Sequence, residues 1–201
     1  MVLIGEPAPD FEVQTTRGRF RLSELRGRWV LLLTHPSSFN PVCTTEVIAL
    51  SQRIDDFRKS GVEVFSICPE SLMSVISWVR DVEDKYGLKI MFPVAADPDK
   101  RTVSLYGAAD ARGSVARSVF LIDPEGVVRF TAQYPVEIGR NVKELSRVTR
   151  AVQTSAKSSL LAPANWEPGE PMIIPPPSTV EEADKRVRDG AERWYIQRKQ
   201  V

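Results

Sequence analysis

The chain has 201 residues, enough for one ordinary domain plus an appendage, with a sizeable core to bury. Apolar residues make up 42% and charged residues 26%, and 27 basic against 26 acidic residues leave a net charge of +1. That is a globular mixture with no electrostatic reason to bind nucleic acid or a membrane surface.

No apolar run approaches the roughly 20 residues of a membrane span. The opening "MVLIGEPAPDFE" has neither the basic segment nor the apolar length of a secretory signal. Two cysteines do not make a disulfide framework, so the expected compartment is a reducing cytoplasm. In chain order, "WVLLL" (29–33) follows the turn signal "RGR" and predicts a strand buried on both faces. From Thr44 onward, Val47, Leu50, Ile54 and Phe57 recur at helical spacing, with Arg58, Lys59 and Gly61 as a stop signal. "VEVFSI" (62–67) is a second strand, and Leu72, Val75, Ile76 and Val79 mark a second helix with Ser71 as its N-cap. "MFPVAAD" (91–97) reads as short and extended, limited by its proline.

"RSVFLI" (117–122) and "VVRFTA" (127–132) flank "DPEG", whose Pro124 and Gly126 suit a tight turn, so an antiparallel hairpin is expected. Val142, Leu145, Val148 and Val152 give a further helix. A βαβ unit followed by a ββα unit is the order of a thioredoxin-like α/β fold, a mixed sheet flanked by helices. Near residue 160 the composition shifts. "APANWEPGEPMIIPPP" (162–177) can continue neither a helix nor a central strand, and a short charged helix (about 179–189) and a tail with Trp194 and Tyr195 follow. This divides the chain into a domain of residues 1–160 and a C-terminal arm of 161–201. Apolar residues in an arm without its own core predict packing on a second subunit, the alternative being a floppy tail.

Cys43, in "PSSFNPVCTTE" (36–46), falls at or just before the first turn of a helix. Unpaired N–H groups and the positive end of the helix dipole favour a thiolate there. Buried inert cysteines are also common, so position alone leaves nucleophile and core filler both open.

The surrounding segments carry further information. "HPSSFNPVCTTE" resembles the active-site segment of the peroxiredoxins, above all the one-cysteine subfamily, whose usual form is HPxDFTPVCTTE. "GEPAPDFEVQTTRG", "FPVAADPDKRTVSLYG", "ARSVFLIDPEGVVRF", "YPVEIGRN", "PANWEPGEP" and "IIPPPSTVEEA" are similar to that family's segments, in its order, over nearly the whole chain. The resemblance implies a thiol peroxidase that reduces hydrogen peroxide and small organic hydroperoxides through a cysteine sulfenic acid, without metal, haem or flavin. It implies an external thiol reductant and a homodimer, in many relatives a ring of ten subunits. On matching positions, Cys43 takes the peroxidatic role and Pro36 shields the sulfur. Arg117 holds the thiolate and orients peroxide, a task suited to a fixed charge with several donors. Val42 lies in the substrate-binding segment, Glu46 and Arg140 position the arginine, and His35 adjoins the site. His35 is the only histidine, and a hydrogen-bonded structural role is expected of it ahead of the alternative, a general base. One histidine and two separated cysteines offer no protein-built metal site.

Two positions depart from the pattern. Asn40 stands where the family has threonine or serine; it can donate hydrogen bonds but not in the same geometry, so weakened or altered turnover is expected. Cys68, at the end of the second strand, is a candidate resolving cysteine that the subfamily does not call for. "RGRWV" (26–30) lacks the serine of a nucleophile elbow, so lipid hydrolysis is not expected. The competing expectations are a scaffold or holdase chaperone that has lost turnover at Asn40, and a redox sensor that passes oxidation to a partner.

Overall fold

The structure is a computed structural model that describes residues 2–201. Its backbone forms two compact units, one running to Val142 and the other spanning Lys143–Val201.

The first unit is built on a seven-stranded sheet. In chain order its elements are β1 (Glu12–Thr15), β2 (Gly18–Arg21), β3 (Trp29–Thr34), α1 (Pro41–Gln52), α2 (Ile54–Lys59) and β4 (Val62–Cys68). Then come α3 (Leu72–Tyr86), β5 (Val94–Ala96), α4 (Arg101–Leu105), β6 (Arg117–Ile122) and β7 (Val128–Tyr134). The strands lie in the order β2-β1-β5-β4-β3-β6-β7. β3, β4 and β5 run parallel, with α1 and α2 crossing over from β3 to β4. β6 pairs antiparallel with β3 and β7 antiparallel with β6, and the β1–β2 hairpin closes the other edge. This mixed sheet flanked by helices is the thioredoxin-like fold that the element order predicts.

Leu31, Leu32 and Leu33 are all fully buried, which explains why β3 shows no polar alternation. Alternation sorts the neighbouring strands by face. Val30, Leu32, Phe65, Ile67, Phe120 and Ile122 enter one large apolar cluster, so Ser66, Cys68 and Arg117 project from the opposite face. The "DPEG" turn forms as expected: Gly126, at φ 78°, donates its N–H to the Asp123 carbonyl at 2.8 Å.

Three features differ from the periodicity. The helix expected after Thr44 starts at Pro41 and breaks at Arg53 (φ −117°, ψ 9°), although Val47, Leu50, Ile54 and Phe57 all reach the core. The β1–β2 hairpin and α4 have four or five residues each, too short for a periodic signal. Trp78 and Val82 join Val75 in the buried stripe of α3, capped by Ser71 Oγ accepting from Ser74 N at 3.2 Å.

The second unit holds α5 (Val142–Ser158) from Lys143 onward, β8 (Met172–Ile173), α6 (Val180–Arg188) and β9 (Arg198–Lys199). The proline-rich segment is not coreless. Leu160, Trp166 and Met172 bury against Ala151, and Trp166 Nε1 donates to the Glu170 carbonyl at 2.9 Å. Val180, Val187, Trp194 and Tyr195 stay exposed.

Candidate active site

The loop after β3 delivers the cysteine. Phe39 sits at φ 56°, in the left-handed region that costs a side chain roughly 1–2 kcal/mol, and this turn presents Asn40 as the N-cap of α1. Asn40 Oδ1 accepts from the backbone N–H of Val42 (3.0 Å) and Cys43 (3.1 Å), and Pro41 fills the first helical position, where no N–H is needed. Cys43 therefore occupies the first turn of α1, with no exposed surface.

Arg117, at the start of β6, is also fully buried. Its Nη1 lies 3.2 Å from Cys43 Sγ and 2.9 Å from Glu46 Oε2, and Nη2 donates to Asn40 Oδ1 at 3.2 Å. Nε and Nη2 both donate to the Val136 carbonyl, at 3.0 and 2.7 Å. Arg140 grips Glu46 from the other side in a two-pronged pair, Nε to Oε1 at 2.8 Å and Nη2 to Oε2 at 2.7 Å. Its Nη1 donates to the carbonyls of Thr34 (3.0 Å) and Ser118 (2.9 Å), and its backbone N–H also reaches Glu46 Oε1 at 2.8 Å.

Burial pushes the Glu46 carboxyl up, but its contacts with His35 and Arg140 outweigh that and hold it well below the usual carboxylate range. Two buried guanidiniums against one carboxylate leave one uncompensated positive charge. An unpaired buried charge is expensive, and the Cys43 sulfur is the group that lies against it, 3.2 Å from Arg117 Nη1. The cluster therefore sets a net positive charge against the Cys43 sulfur.

His35 Nδ1 lies 3.2 Å from Arg140 Nη2 and 3.3 Å from Glu46 Oε2, and Nε2 is 3.2 Å from Ser66 Oγ. Burial and the Arg140 charge lower its pKa to about 4, so it is a neutral spacer near pH 7. His35, Cys43 and Glu46 bring one potential metal-ligating atom each within 4.8 Å of one another. The two guanidiniums already hold the carboxylate and make the spot cationic, which opposes a metal ion. Val42 and Pro36 are half-buried in the same segment. The tertiary structure thus gathers Cys43, Asn40, Val42, Glu46, Arg117, Arg140 and His35.

Cys68 is not part of that network. It ends β4, fully buried, and burial pushes its thiol far up, so it stays protonated. After burial, the nearby Cys43 and Glu70 push it in the same direction.

Sequence reasoning misses the Val136, Thr34 and Ser118 carbonyls, which side-chain identity does not reveal. It also misses Ser66 and Thr44, although Ser66 could have been inferred from strand alternation with Cys68.

Comparison with known proteins accords with this geometry. The AhpC/TSA family matches residues 4–131, and the C-terminal domain of 1-Cys peroxiredoxin matches residues 151–190. Peroxiredoxin 2 of Picrophilus torridus is 44% identical over 196 residues, covering 97% of this chain and 98% of that protein. A peroxiredoxin of Thermoplasma volcanium is 45% identical over 197 residues, covering 97% of each. Among solved structures, a yeast mitochondrial 1-Cys peroxiredoxin superposes with a TM-score of 0.89 at 31% identity over the full length of both chains. With a helix-start cysteine held against a buried arginine and relatives matched end to end, the chain belongs to the peroxiredoxin family and is a thiol-dependent peroxidase.

Proposed function

We propose that Cys43 is the nucleophile and that its substrates are hydrogen peroxide and small organic hydroperoxides. The thiolate sulfur bonds to one peroxide oxygen and the O–O bond breaks. The departing oxygen leaves with the electron pair and takes a proton, as water or an alcohol, and Cys43 becomes a sulfenic acid. An incoming thiol then displaces water from the sulfenic acid to give a mixed disulfide, and a second thiol releases Cys43. The observation that carries this reading is Arg117 Nη1 at 3.2 Å from Sγ, inside a cluster whose charge closes only with a thiolate.

The incoming thiol that attacks the sulfenic acid is external. Cys68 is sealed and protonated, and the yeast relative's thiol is resolved through glutathione and thioredoxin systems. Intact mass after one equivalent of peroxide tests the route. One added oxygen on Cys43 is expected, whereas loss of two hydrogens with a Cys43–Cys68 link would make Cys68 the resolving thiol. An unchanged mass would remove Cys43 as the nucleophile.

A reducing cytoplasm suits two free cysteines; among the described residues no helix is long and apolar enough to cross a membrane. The residue 161–201 arm is assigned to subunit packing, as a homodimer that can extend to a ring of ten. Its support is the exposed apolar set Val180, Val187, Trp194 and Tyr195. Light scattering on the full chain and on a Trp194→Ala, Tyr195→Ala variant reads this. A shift of the variant to monomer is expected, and equal masses would discard the arm as the contact.

A further inference from the structure

Asn40 Oδ1 takes three of the hydrogen-bond donors that surround Cys43. Arg117 has five N–H groups and five contacts: two to the Val136 carbonyl, one to Glu46, one to Cys43 Sγ and one to Asn40 Oδ1. The two N–H groups of α1 nearest the sulfur, Val42 and Cys43, also go to Asn40 Oδ1. One amide oxygen thus collects two helix-start N–H groups and a guanidinium N–H. That donor set is the kind that stabilises a developing oxyanion.

Three donors also fix which way the amide points. Rotated by half a turn, Nδ2 would face three N–H groups and lose every bond, so the oxygen stays seated. The Nδ2 end can only donate, and the three side-chain hydrogen bonds of Asn40 all run to Oδ1. A threonine hydroxyl is one bond shorter and can both donate and accept.

We propose that the Asn40 side-chain oxygen Oδ1 occupies the position of the departing peroxide oxygen in the resting site, making Asn40 a plug that sets both rate and substrate preference. This rests on the peroxidase reading. As sulfur bonds to one oxygen and the O–O bond breaks, the other oxygen gains an electron pair before it is protonated. A peroxide claims the donors for that oxygen only by displacing the amide. The handicap is greatest when the departing oxygen is strongly basic, as with hydrogen peroxide. It is least when the charge is already delocalised, as with a peroxycarboxylic acid. The favoured substrates are therefore peroxides with weakly basic leaving groups.

The test uses the full chain and its Asn40→Gly and Asn40→Thr variants. Glycine keeps most of the capping preference at this position. Stopped-flow rate constants for Cys43 are measured with hydrogen peroxide, with peracetic acid and with iodoacetamide, whose alkylation needs no oxyanion donors. In Asn40→Gly the hydrogen peroxide rate is expected to rise roughly tenfold, the equivalent of one hydrogen bond to a charged group. The peracetic acid rate should rise much less and alkylation should stay within about twofold, so the peracid preference shrinks. Asn40→Thr should move the same way. If both variants are slower with hydrogen peroxide while alkylation is unchanged, Asn40 assists the reaction and the plug is wrong. If neither peroxide oxidises any of the three proteins although all are alkylated, the peroxidase reading falls and the plug with it.

Discussion

Arg117 illustrates how much one side chain carries. Its planar fork reaches sulfur, carboxylate, amide and carbonyl at once, at 2.7–3.2 Å. Lysine would keep the charge but offers one nitrogen on a flexible stem. Arg117→Lys should slow oxidation of Cys43 by about a hundredfold, the scale of losing a well-placed transition-state donor. Following the second-order rate with hydrogen peroxide checks this, and a rate within a few-fold of the parent would show that charge alone suffices. Cys68 is the opposite case. Cys68→Ala removes a buried sulfur and should cost about 1 kcal/mol of stability, yet leave turnover with an external thiol intact. Collapse of that turnover would make Cys68 a redox participant. From sequence, Cys43 and Arg117 are legible because each sits inside an ordered motif. The consequence of Asn40 is not legible: its substitution is visible, but the three donors it collects come from two segments that meet only in the fold.

At the scale of elements, α1 is held at its start by more than its cap. Trp78 Nε1, on α3, donates to Thr44 Oγ1 at 3.0 Å, and that hydroxyl in turn donates to the Asn40 carbonyl at 3.0 Å. Trp78→Phe keeps much of the apolar bulk and removes this link, so urea unfolding should show a loss of about 1 kcal/mol. An unmoved midpoint would mean that the bond contributes nothing. The buried face of the helical segment was readable from Val47, Leu50, Ile54 and Phe57, while its break at Arg53 was not. Periodicity reports which side chains lose water; it does not report whether the backbone ladder between them is continuous. The β1–β2 hairpin escapes for a related reason. Four-residue strands hold too few alternations, and β1 is secured by pairing with β5, some eighty residues later in the chain.

At the scale of the whole molecule, the buried cluster couples folding to pH. His35 has a folded pKa of about 4 against an ordinary 6.5, so between these values the unfolded chain binds a proton that the folded one refuses. Stability from this group is complete above about pH 6.5 and declines as the pH falls toward 4. The loss should be roughly 2 kcal/mol at pH 5. Glu46 shifts in the sense usual for a paired carboxylate, so its contribution is present above its ordinary 4.5 and is lost at more acidic pH. Urea titrations at pH 7.5 and pH 5 read the histidine contribution, and His35→Asn should flatten the difference. Equal slopes in parent and variant would assign the pH dependence elsewhere. By itself, the sequence determined the buried strand, the helix start at the cysteine, the turn at Gly126 and, through its ordered motifs, which residues to watch. Only the tertiary structure decided that Arg117 and Arg140, 74 residues from Cys43 and 94 from Glu46 respectively, share one carboxylate and leave a charge for sulfur to balance. It also decided which backbone carbonyls hold them. Every residue carries the same carbonyl, and where it points depends on strand register and loop path, which no local pattern of side chains encodes.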